Sequence, residues 1–527
     1  MITTREPRAR ILWADDEMEL LQSHLLFLKE KGYVVNGVTN GDDAVGEVAS
    51  GNYDLVLLDE MMPGKDGLTT LMEIKETDPG LPVIMITKNK EESLMEEAIG
   101  AKIADYLTKP VNPSQILLAC KKILERTQIS GEQASRKYVS EFNKIAQLLY
   151  GQPDPRDWIT IHSRLSQWEN EFDDLPDIGL RQPLADQRKE CNVEFGKYFQ
   201  EHYLDWIHSQ EGAGPPLSTD VVKNWVVPHL QDDKKVVFIV IDCMRLDQWL
   251  TIEEMLYQDF RMKKDYYYSI VPTATPYSRN AIFSGYSPSR IQEEYGDIWE
   301  QSEDDDTSMN RFEHEFLLHQ LQRDDIDFSK GSKYIKVVDS EQGRSVENNF
   351  RTLMQTPLIT LVINFVDILA HQRSQSEFLQ EIVPDEAGYR TTIRAWFEHS
   401  WLLQVLKQLR NSEYRVVITT DHGSIRVQKP AIVKADREAS SNIRYKYGRN
   451  LNTDPKQAML IKEPEKYLLP ARGINTTYLL AKEQYYFVYP TDFNIYRNKF
   501  SNTFQHGGIS LEEVVLPVVT LEPKGRS

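Results

Sequence analysis

The distribution of apolar residues predicts two α/β units separated by an all-helical stretch. Short β-branched runs alternate with amphipathic segments over residues 1–125, and long polar segments studded with aromatics replace them over 126–216. Strong apolar strands then return over 217–527. A chain of 527 residues exceeds what one hydrophobic core supports, and a prior of roughly 150 residues per domain points to two or three domains.

Composition narrows the function classes. With 40% hydrophobic and 27% charged residues, each unit can bury a core. A net charge of -19 repels a phosphate backbone, so duplex DNA binding is disfavoured and any nucleic-acid contact needs a local basic patch or bound metal. Cys120, Cys191 and Cys243 are too few and too scattered for a disulfide framework or a thiolate zinc site, and we expect them as buried small hydrophobes in a reducing compartment. The stretch 1–10 lacks the apolar core of a signal peptide, and no apolar run approaches the ~20 residues that span a bilayer. The expectation is a cytoplasmic protein without membrane insertion.

In the first unit, residues 10–14, 33–38, 54–59, 82–86 and 104–107 read as strands with helix-like segments between them. A five-fold βα alternation predicts a parallel sheet with helices on both faces. Asp15 and Asp16 follow the first strand, Asp59 ends the third, Thr87 ends the fourth, and Lys109 precedes Pro110 after the fifth. All lie at one sheet edge. Clustered carboxylates hold a hard cation such as Mg2+, and the cation lets a further carboxylate attack a phosphoryl group. Thr87 can hydrogen-bond a transferred phosphate and Lys109 can neutralise it.

Together with Gly67 and the Asp105 and Tyr106 pair, these residues closely resemble the receiver domain of response regulators, a flavodoxin-like fold. The resemblance implies that Asp59 is phosphorylated by a sensor histidine kinase. It further implies that Asp15, Asp16, Asp59 and the carbonyl of Met61 hold Mg2+, that Thr87 and Tyr106 form the switch pair, and that the bond before Pro110 is cis. Lys88 stands where the family usually has a small residue, which bears on phosphoryl lifetime or access.

Over 126–216 the absence of β-branched runs predicts a helical bundle, with Trp158, Trp168, Phe172, Phe195, Tyr198, Phe199 and Trp206 as its core. A breaker-rich run at 211–216 ends it.

In the third unit, runs 235–242, 357–367 and 415–421 read as strands ending in Asp242, Asp367 and Asp421. Ligands of open α/β sheets bind beyond the carboxyl ends of the strands, so three carboxylates delivered there define a site. The acid-rich stretch 293–327, with Asp304, Asp305 and Asp306, reads as a solvated insertion. A two-metal hydrolase needs two sets of oxygen and imidazole ligands and a nucleophile between them. The candidates in chain order are Asp242, Thr273 or Thr275, Asp367 with His371, Asp421, His422 and His506. Asp367 and His371 can converge on one cation if a helical turn follows the strand.

This order closely resembles the alkaline phosphatase superfamily, specifically its PglZ-type branch with an α/β/α fold, and the run 242–248 is a further match. The resemblance implies two zinc ions, one held by Asp242, Asp421 and His422 beside the nucleophile and the other by Asp367, His371 and His506. The ten-residue step from Thr275 to Gly285 matches that family's spacing from nucleophile to glycine, so the resemblance favours Thr275 over Thr273 as nucleophile and metal-bound hydroxyl. Arg245 is expected to hold a carboxylate or a substrate phosphate. Residues 426–449 carry seven Lys or Arg against two acids, and Arg444, Lys446 and Arg449 interleave with tyrosines there, as suits either a nucleotide strand or a solvated loop.

A receiver, a helical middle and a PglZ-type domain in one chain resemble regulators associated with type IX secretion and gliding. That resemblance implies hydrolysis of linear or cyclic oligonucleotides and a homodimer formed on phosphorylation of Asp59. The residues by themselves reach only a phosphate or sulfate ester. The competing expectation is a zinc-stabilised signalling module that binds a partner such as a sigma factor, and turnover discriminates the two.

Overall fold

The computed structural model describes residues 9–88, 103–124, 126–175, 179–209, 214–299, 311–326, 331–435, 440–471, 473 and 475–525. The chain divides into two compact units, Met1–Lys137 and Tyr138–Ser527.

Strands Arg10–Ala14 (β1), Val34–Val38 (β2), Leu55–Asp59 (β3), Val83–Thr87 (β4) and Asp105–Thr108 (β5) form the sheet of the first unit, in the order β2-β1-β3-β4-β5 with every pair parallel. Helices Gln22–Glu30 (α1), Gly41–Ser50 (α2), Gly67–Thr77 (α3) and Pro113–Leu124 (α4) flank it. Alternate residues of a strand face opposite sides, so Leu55 and Leu57 join one core with Cys120, whereas Val56 and Leu58 join the other with Leu71 and Ile74. The sheet is the one expected. The helix-like stretch between β4 and β5 lies outside the described residues.

In the second unit, Arg126–Tyr150 (α5), Pro155–Asp173 (α6) and Arg181–His208 (α7) account for the helical stretch, the unit division falling within α5. Asp154 opens α6 with a capping box against Asp157. The predicted aromatics Trp158, Trp168, Phe172, Phe195, Phe199 and Trp206 are buried. Their core is not closed, however. Strands Val236–Ile241 (β6), Phe260–Tyr268 (β7), Ser332–Val337 (β8), Leu358–Ile363 (β9), Arg415–Thr419 (β10) and Val515–Pro523 (β11) form a six-stranded sheet in the order β7-β11-β10-β6-β9-β8. Tyr268 at the end of β7 lies 5.1 Å from the Trp206 ring and 6.4 Å from the Phe195 ring. The helical stretch therefore shares its aromatic core with the sheet instead of standing as a separate bundle.

β10, β6, β9 and β8 run parallel, and β11 runs antiparallel to both β10 and β7. The inner strand β6 is buried on both faces. Leu246–Ile252 (α8), Thr275–Ser284 (α9), Phe365–Arg373 (α10) and Leu511–Val514 (α11) begin near the carboxyl edge and carry the site residues described below. The acid-rich stretch corrects one expectation, because helix Glu313–Arg323 inside it is amphipathic and buries Glu313, Phe316, Leu317 and Leu321. Asp304, Asp305 and Asp306 lie outside the described residues. The three cysteines are free and buried, as expected. Among the described residues no helix is long and apolar enough to cross a membrane.

His162 of α6 carries a pH prediction. It is buried, with Nδ1 3.1 Å from the Arg188 guanidinium, and burial followed by that positive neighbour pushes its pKa down to about 3. The unfolded chain binds this proton first. The contribution of neutral His162 is thus present above the unfolded value near 6.5 and lost as pH falls toward about 3. We expect acidification from pH 6.5 to 4 to remove a few kcal/mol of stability from the wild type and measurably less from His162→Gln. Urea midpoints across that range check this, and identical slopes for the two proteins would contradict it.

Candidate two-metal centre and receiver pocket

Three strands of the second sheet stop at the same edge, and the chain delivers a ligand group just beyond each. Asp242 follows β6, and Cys243 after it takes φ 65, a left-handed conformation that costs a non-glycine residue energy. The turn this produces aims the amide of Cys243 at Asp421 Oδ1 (3.3 Å) and that of Met244 at Thr420 Oγ1 (3.0 Å), tying the end of β6 to the end of β10. Asp367 departs from expectation. β9 stops at Ile363, and Asp367 lies in the first turn of α10, which places His371 one turn further on with Nε2 3.3 Å from Asp367 Oδ1.

The ligand atoms gather into two groups, Asp242, Asp421 and His422, and Asp367, His371 and His506, with the atoms of each group lying within 4.8 Å of one another. His422 Nε2 lies 3.6 Å from Asp242 Oδ1 and 3.7 Å from Asp421 Oδ2. His506 Nε2 lies 3.4 Å from His371 Nε2 and 3.6 Å from Asp367 Oδ1. The groups adjoin, because the rings of His422 and His506 stack with centroids 4.2 Å apart. Asp242 Oδ1, Asp421 Oδ2 and Asp367 Oδ1 are buried and have no hydrogen-bond partner in the protein. A buried carboxylate oxygen left bare is costly, and one in each aspartate, aimed among imidazoles, fits cation ligation. The imidazoles are ready as ligands: burial lowers the pKa of His422, and burial with the neighbouring His422 lowers that of His506 to about 4, so both rings are neutral at pH 7.

Thr275 is the first residue of α9, and its Oγ1 lies 3.0 Å from His422 Nε2. Thr273, the alternative, is committed elsewhere: its hydroxyl donates to the Gly508 carbonyl (2.8 Å) and accepts from the Gly507 amide (3.2 Å). The ten-residue step to Gly285 turns out to be the length of a helix, since Gly285 ends α9 with φ 66, a conformation only glycine adopts without strain.

Sequence reasoning missed three groups that hold these ligands. Arg279, one turn after Thr275, places Nη1 2.7 Å from Asp242 Oδ2 and 3.8 Å from Asp421 Oδ2. Its Nε is anchored 2.6 Å from Glu313, and Asn364 Nδ2 donates to Asp242 Oδ2 at 2.9 Å. Burial, then repulsion from Asp242, raises the pKa of Asp421 well above the usual carboxylate range, and Arg279 opposes that rise. Arg279 lies between Ser278 and Asn280 with no motif to single it out, and Glu313 sits in a stretch whose acidity reads as solvent-facing.

The proposed substrate cations are corrected. Arg245 is buried and holds two carboxylates, with Nε 2.9 Å from Asp247 and Nη1 2.5 Å from Glu386, so its carboxylate-holding alternative is the one seen. Arg444 is buried against Glu513, and Lys446, also buried, donates to the Ser440 carbonyl at 2.8 Å. Both lie in strand Tyr445–Gly448 or beside it, and that strand pairs with Thr477–Ala481 instead of forming a solvated loop. Arg449 remains exposed at its end.

In the first unit, Asp15, Asp16 and Asp59 form a third such group. Lys109 Nζ lies 2.9 Å from Asp15 and 2.8 Å from Asp59, next to the cis bond before Pro110. Burial raises the pKa of Asp59, with Lys109 opposing. Thr87 donates to Glu60 and Tyr106 is half exposed on β5, while Lys88 is 4.0 Å from Glu17. Met61 leaves its side chain in solvent, so only its carbonyl is available to a cation.

Comparison with known proteins agrees with this architecture. The PglZ alkaline phosphatase-like domain of the BREX system matches residues 221–521, the response regulator receiver domain matches 11–121, and the PorX response regulator linker domain matches 128–207. The chain belongs to the PglZ alkaline phosphatase-like family, as a response regulator with a receiver and that domain as its output. The linker makes it a regulator of the PorX type. Among curated proteins it is similar to the transcriptional regulatory protein ResD of Bacillus subtilis (36% identical over 117 residues, 22% of this chain and 48% of that protein). It is also similar to SrrA of Staphylococcus aureus (31% over 134 residues, 25% and 54%). The chain thus spans about half the length of these relatives. Among solved structures, a two-component response regulator from Clostridium difficile is 30% identical, covering 22% of this chain and 97% of its own (TM-score 0.22). A receiver domain of a Pseudomonas aeruginosa sensor histidine kinase, with magnesium in its active-site cleft, is 26% identical over 22% and 97% (TM-score 0.21). The cluster of Asp15, Asp16 and Asp59 has the receiver family's magnesium-site pattern, and the buried group of Asp242, Asp421 and His422 in the output domain is suited to metal.

Arg279 yields a prediction. Arg279→Gln leaves Asp242 and Asp421 facing each other without a counter-charge, so we expect about 3–5 kcal/mol less stability in chelator-stripped protein. A bound divalent cation replaces that charge, and the loss should be smaller in metal-saturated protein. Urea unfolding in both states measures it, and equal losses would show that Arg279 does not serve the carboxylates.

Proposed function

We propose that this chain is a cytoplasmic response regulator, phosphorylated on Asp59 by a sensor histidine kinase, whose output domain is a two-zinc phosphodiesterase acting on linear or cyclic oligonucleotides. Its parts are a receiver over 1–125, a helical linker over 126–216 and the hydrolase over 217–527. The observation that carries the reading is Thr275 Oγ1 3.0 Å from His422, beside two adjoining ligand groups that each contain a bare buried carboxylate oxygen.

Asp242, Asp421 and His422 would hold one zinc and Asp367, His371 and His506 the other, with Thr275 facing the first; the mixed carboxylate and imidazole set suits zinc. Bound there, two divalent cations polarise a phosphoryl oxygen and favour ionised hydroxyl and water. Thr275 gives up its hydroxyl proton and attacks phosphorus, and the bond to the leaving oxygen breaks as that oxygen is protonated. The phosphoryl group stays on Thr275 until water displaces it, restoring the hydroxyl. The start of α9 favours the negative charge of that ester. In the receiver, Asp15, Asp16, Asp59 and the Met61 carbonyl would hold Mg2+ while Asp59 takes the phosphoryl group, with Lys109 released from Asp59 to pair with it. Thr87 would turn from Glu60 to the phosphoryl oxygens and Tyr106 would move inward, promoting a homodimer. The physiological setting this architecture suggests is control of type IX secretion and gliding.

Two outcomes are expected. Elemental analysis should find two zinc ions per chain, and Thr275→Val should keep them while hydrolysis of linear and cyclic oligonucleotides falls by at least about 10³-fold. Thr275→Val with undiminished turnover would refute the nucleophile. Beryllium fluoride should double the mass seen by light scattering for wild type but not for Asp59→Ala, and equal masses would separate the receiver from dimerisation.

A further inference from the structure

The short turn α11 carries two adjacent acids, Glu512 and Glu513, that leave it in different directions. Glu512 meets the helical stretch. Asn192 of α7 donates through Nδ2 to both Glu512 carboxylate oxygens (3.2 and 3.0 Å), and its Oδ1 accepts the Leu511 amide (2.8 Å). Arg188, one turn earlier, places Nη1 3.3 Å from Glu512 Oε1. Its guanidinium is itself aimed by a two-pronged pair with Glu169 of α6 (2.6 and 2.8 Å) and by Ser166 (3.2 Å). All these groups are buried or nearly so, where hydrogen bonds to a charge are strongest and a lost partner costs most.

The other sides of α11 meet the candidate metal centre. Glu513 accepts the Gly508 amide at 2.9 Å, two residues after His506, and pairs with Arg444. The Glu512 carbonyl presses on Gly423, where a Cβ would come within 1.9 Å of it, and the Gly423 amide points back at the Glu513 carbonyl (3.4 Å). Gly423 supplies the carbonyl 3.1 Å from His422 Nδ1. One four-residue turn thus touches the loops that carry His422 and His506, one histidine from each ligand group. Loss of a residue that orients a ligand from behind typically weakens metal affinity by about 10–100-fold.

We propose that Asn192 and Arg188 of the helical linker are positioning residues for the two-metal centre, setting the His422 and His506 loops through α11. The inference rests on the metal-centre reading above for its catalytic consequence. The linker then completes the site: its side chains fix where a turn 319 positions away in sequence sits, and that turn fixes two imidazoles.

The test uses the full-length chain. Zinc affinity is measured by competition with a chromogenic chelator, hydrogen exchange is followed at the Gly423 and Gly508 amides, and kcat and KM are obtained on bis(p-nitrophenyl) phosphate. For Asn192→Ala we expect zinc affinity about tenfold weaker, faster exchange at both glycines, and a fall in kcat at nearly constant KM. Asn192→Ser, which keeps one hydrogen-bonding group, should fall between, and it decides the matter if the alanine protein does not fold. Lys189→Ala, on α7 but outside this contact, serves as the control. A folded Asn192 variant with a lower melting temperature but unchanged zinc affinity and unchanged exchange would overturn the proposal, reducing Asn192 to a packing residue. If wild type binds no zinc or does not turn over, the proposed function fails by itself, and exchange at Gly423 and Gly508 still decides the positioning role.

Discussion

Two buried aspartates, Asp242 and Asp421, meet beneath His422, and in a low-dielectric interior burial and their mutual repulsion both disfavour the charged pair. Much of the surrounding architecture answers that repulsion. Arg279 sets a guanidinium between them from the same helix that presents Thr275. Asn364 and the amide of Cys243 occupy their other oxygens. What remains is one bare oxygen on each, turned toward a neutral imidazole. A site built this way costs stability when empty and recovers it when a cation arrives, so folding and ligation are linked.

The first unit meets the same problem with the same physics. Asp15 and Asp59 come from the carboxyl ends of two parallel strands, and Lys109 bridges them as Arg279 bridges its pair. A parallel sheet buried on both faces places strand ends side by side at one edge, so side chains just beyond them converge whatever the sequence distance between them. The difference lies in the cation. Lysine is a mobile point charge that can release one carboxylate and follow a phosphoryl group, whereas arginine's fork, held also by Glu313, stays where it is. The receiver and the output domain therefore carry related carboxylate clusters with different counter-ions.

From Tyr138 onward the helical stretch belongs to the same compact unit as the six-stranded sheet. Its aromatic stripe is completed by Tyr268 of β7, and its polar side chains reach the sheet's loops: Asn170 donates to the Asp247 carbonyl, Asp173 pairs with Arg390, and Asn192 grips α11. Tyr138 of α5 packs on Trp168 and Phe172 while Tyr268 of β7 packs on Trp206, so the stripe is covered from both the helical stretch and the sheet.

The sequence alone determined the five-stranded receiver sheet, because that depends on local rules. Apolar alternation specifies strands, whereas the preference for Thr275 comes from the family resemblance, whose ten-residue step the structure fills with a helix closed by a left-handed cap. Asp367 was found by type and spacing although β9 ends before it, since an i,i+4 pair on a helix brings it to His371 all the same. Tertiary structure decided which charges are free. Arg245, Arg444 and Lys446 read as substrate cations because their partners, Glu386, Glu513 and the Ser440 carbonyl, are brought to them by folding, two of them from far along the chain. Glu313 and Arg279 looked ordinary for the converse reason. A charge costs little in water and much in the interior, so its role follows from burial and from the neighbour that burial assigns it, and neither is encoded in the residues beside it in sequence.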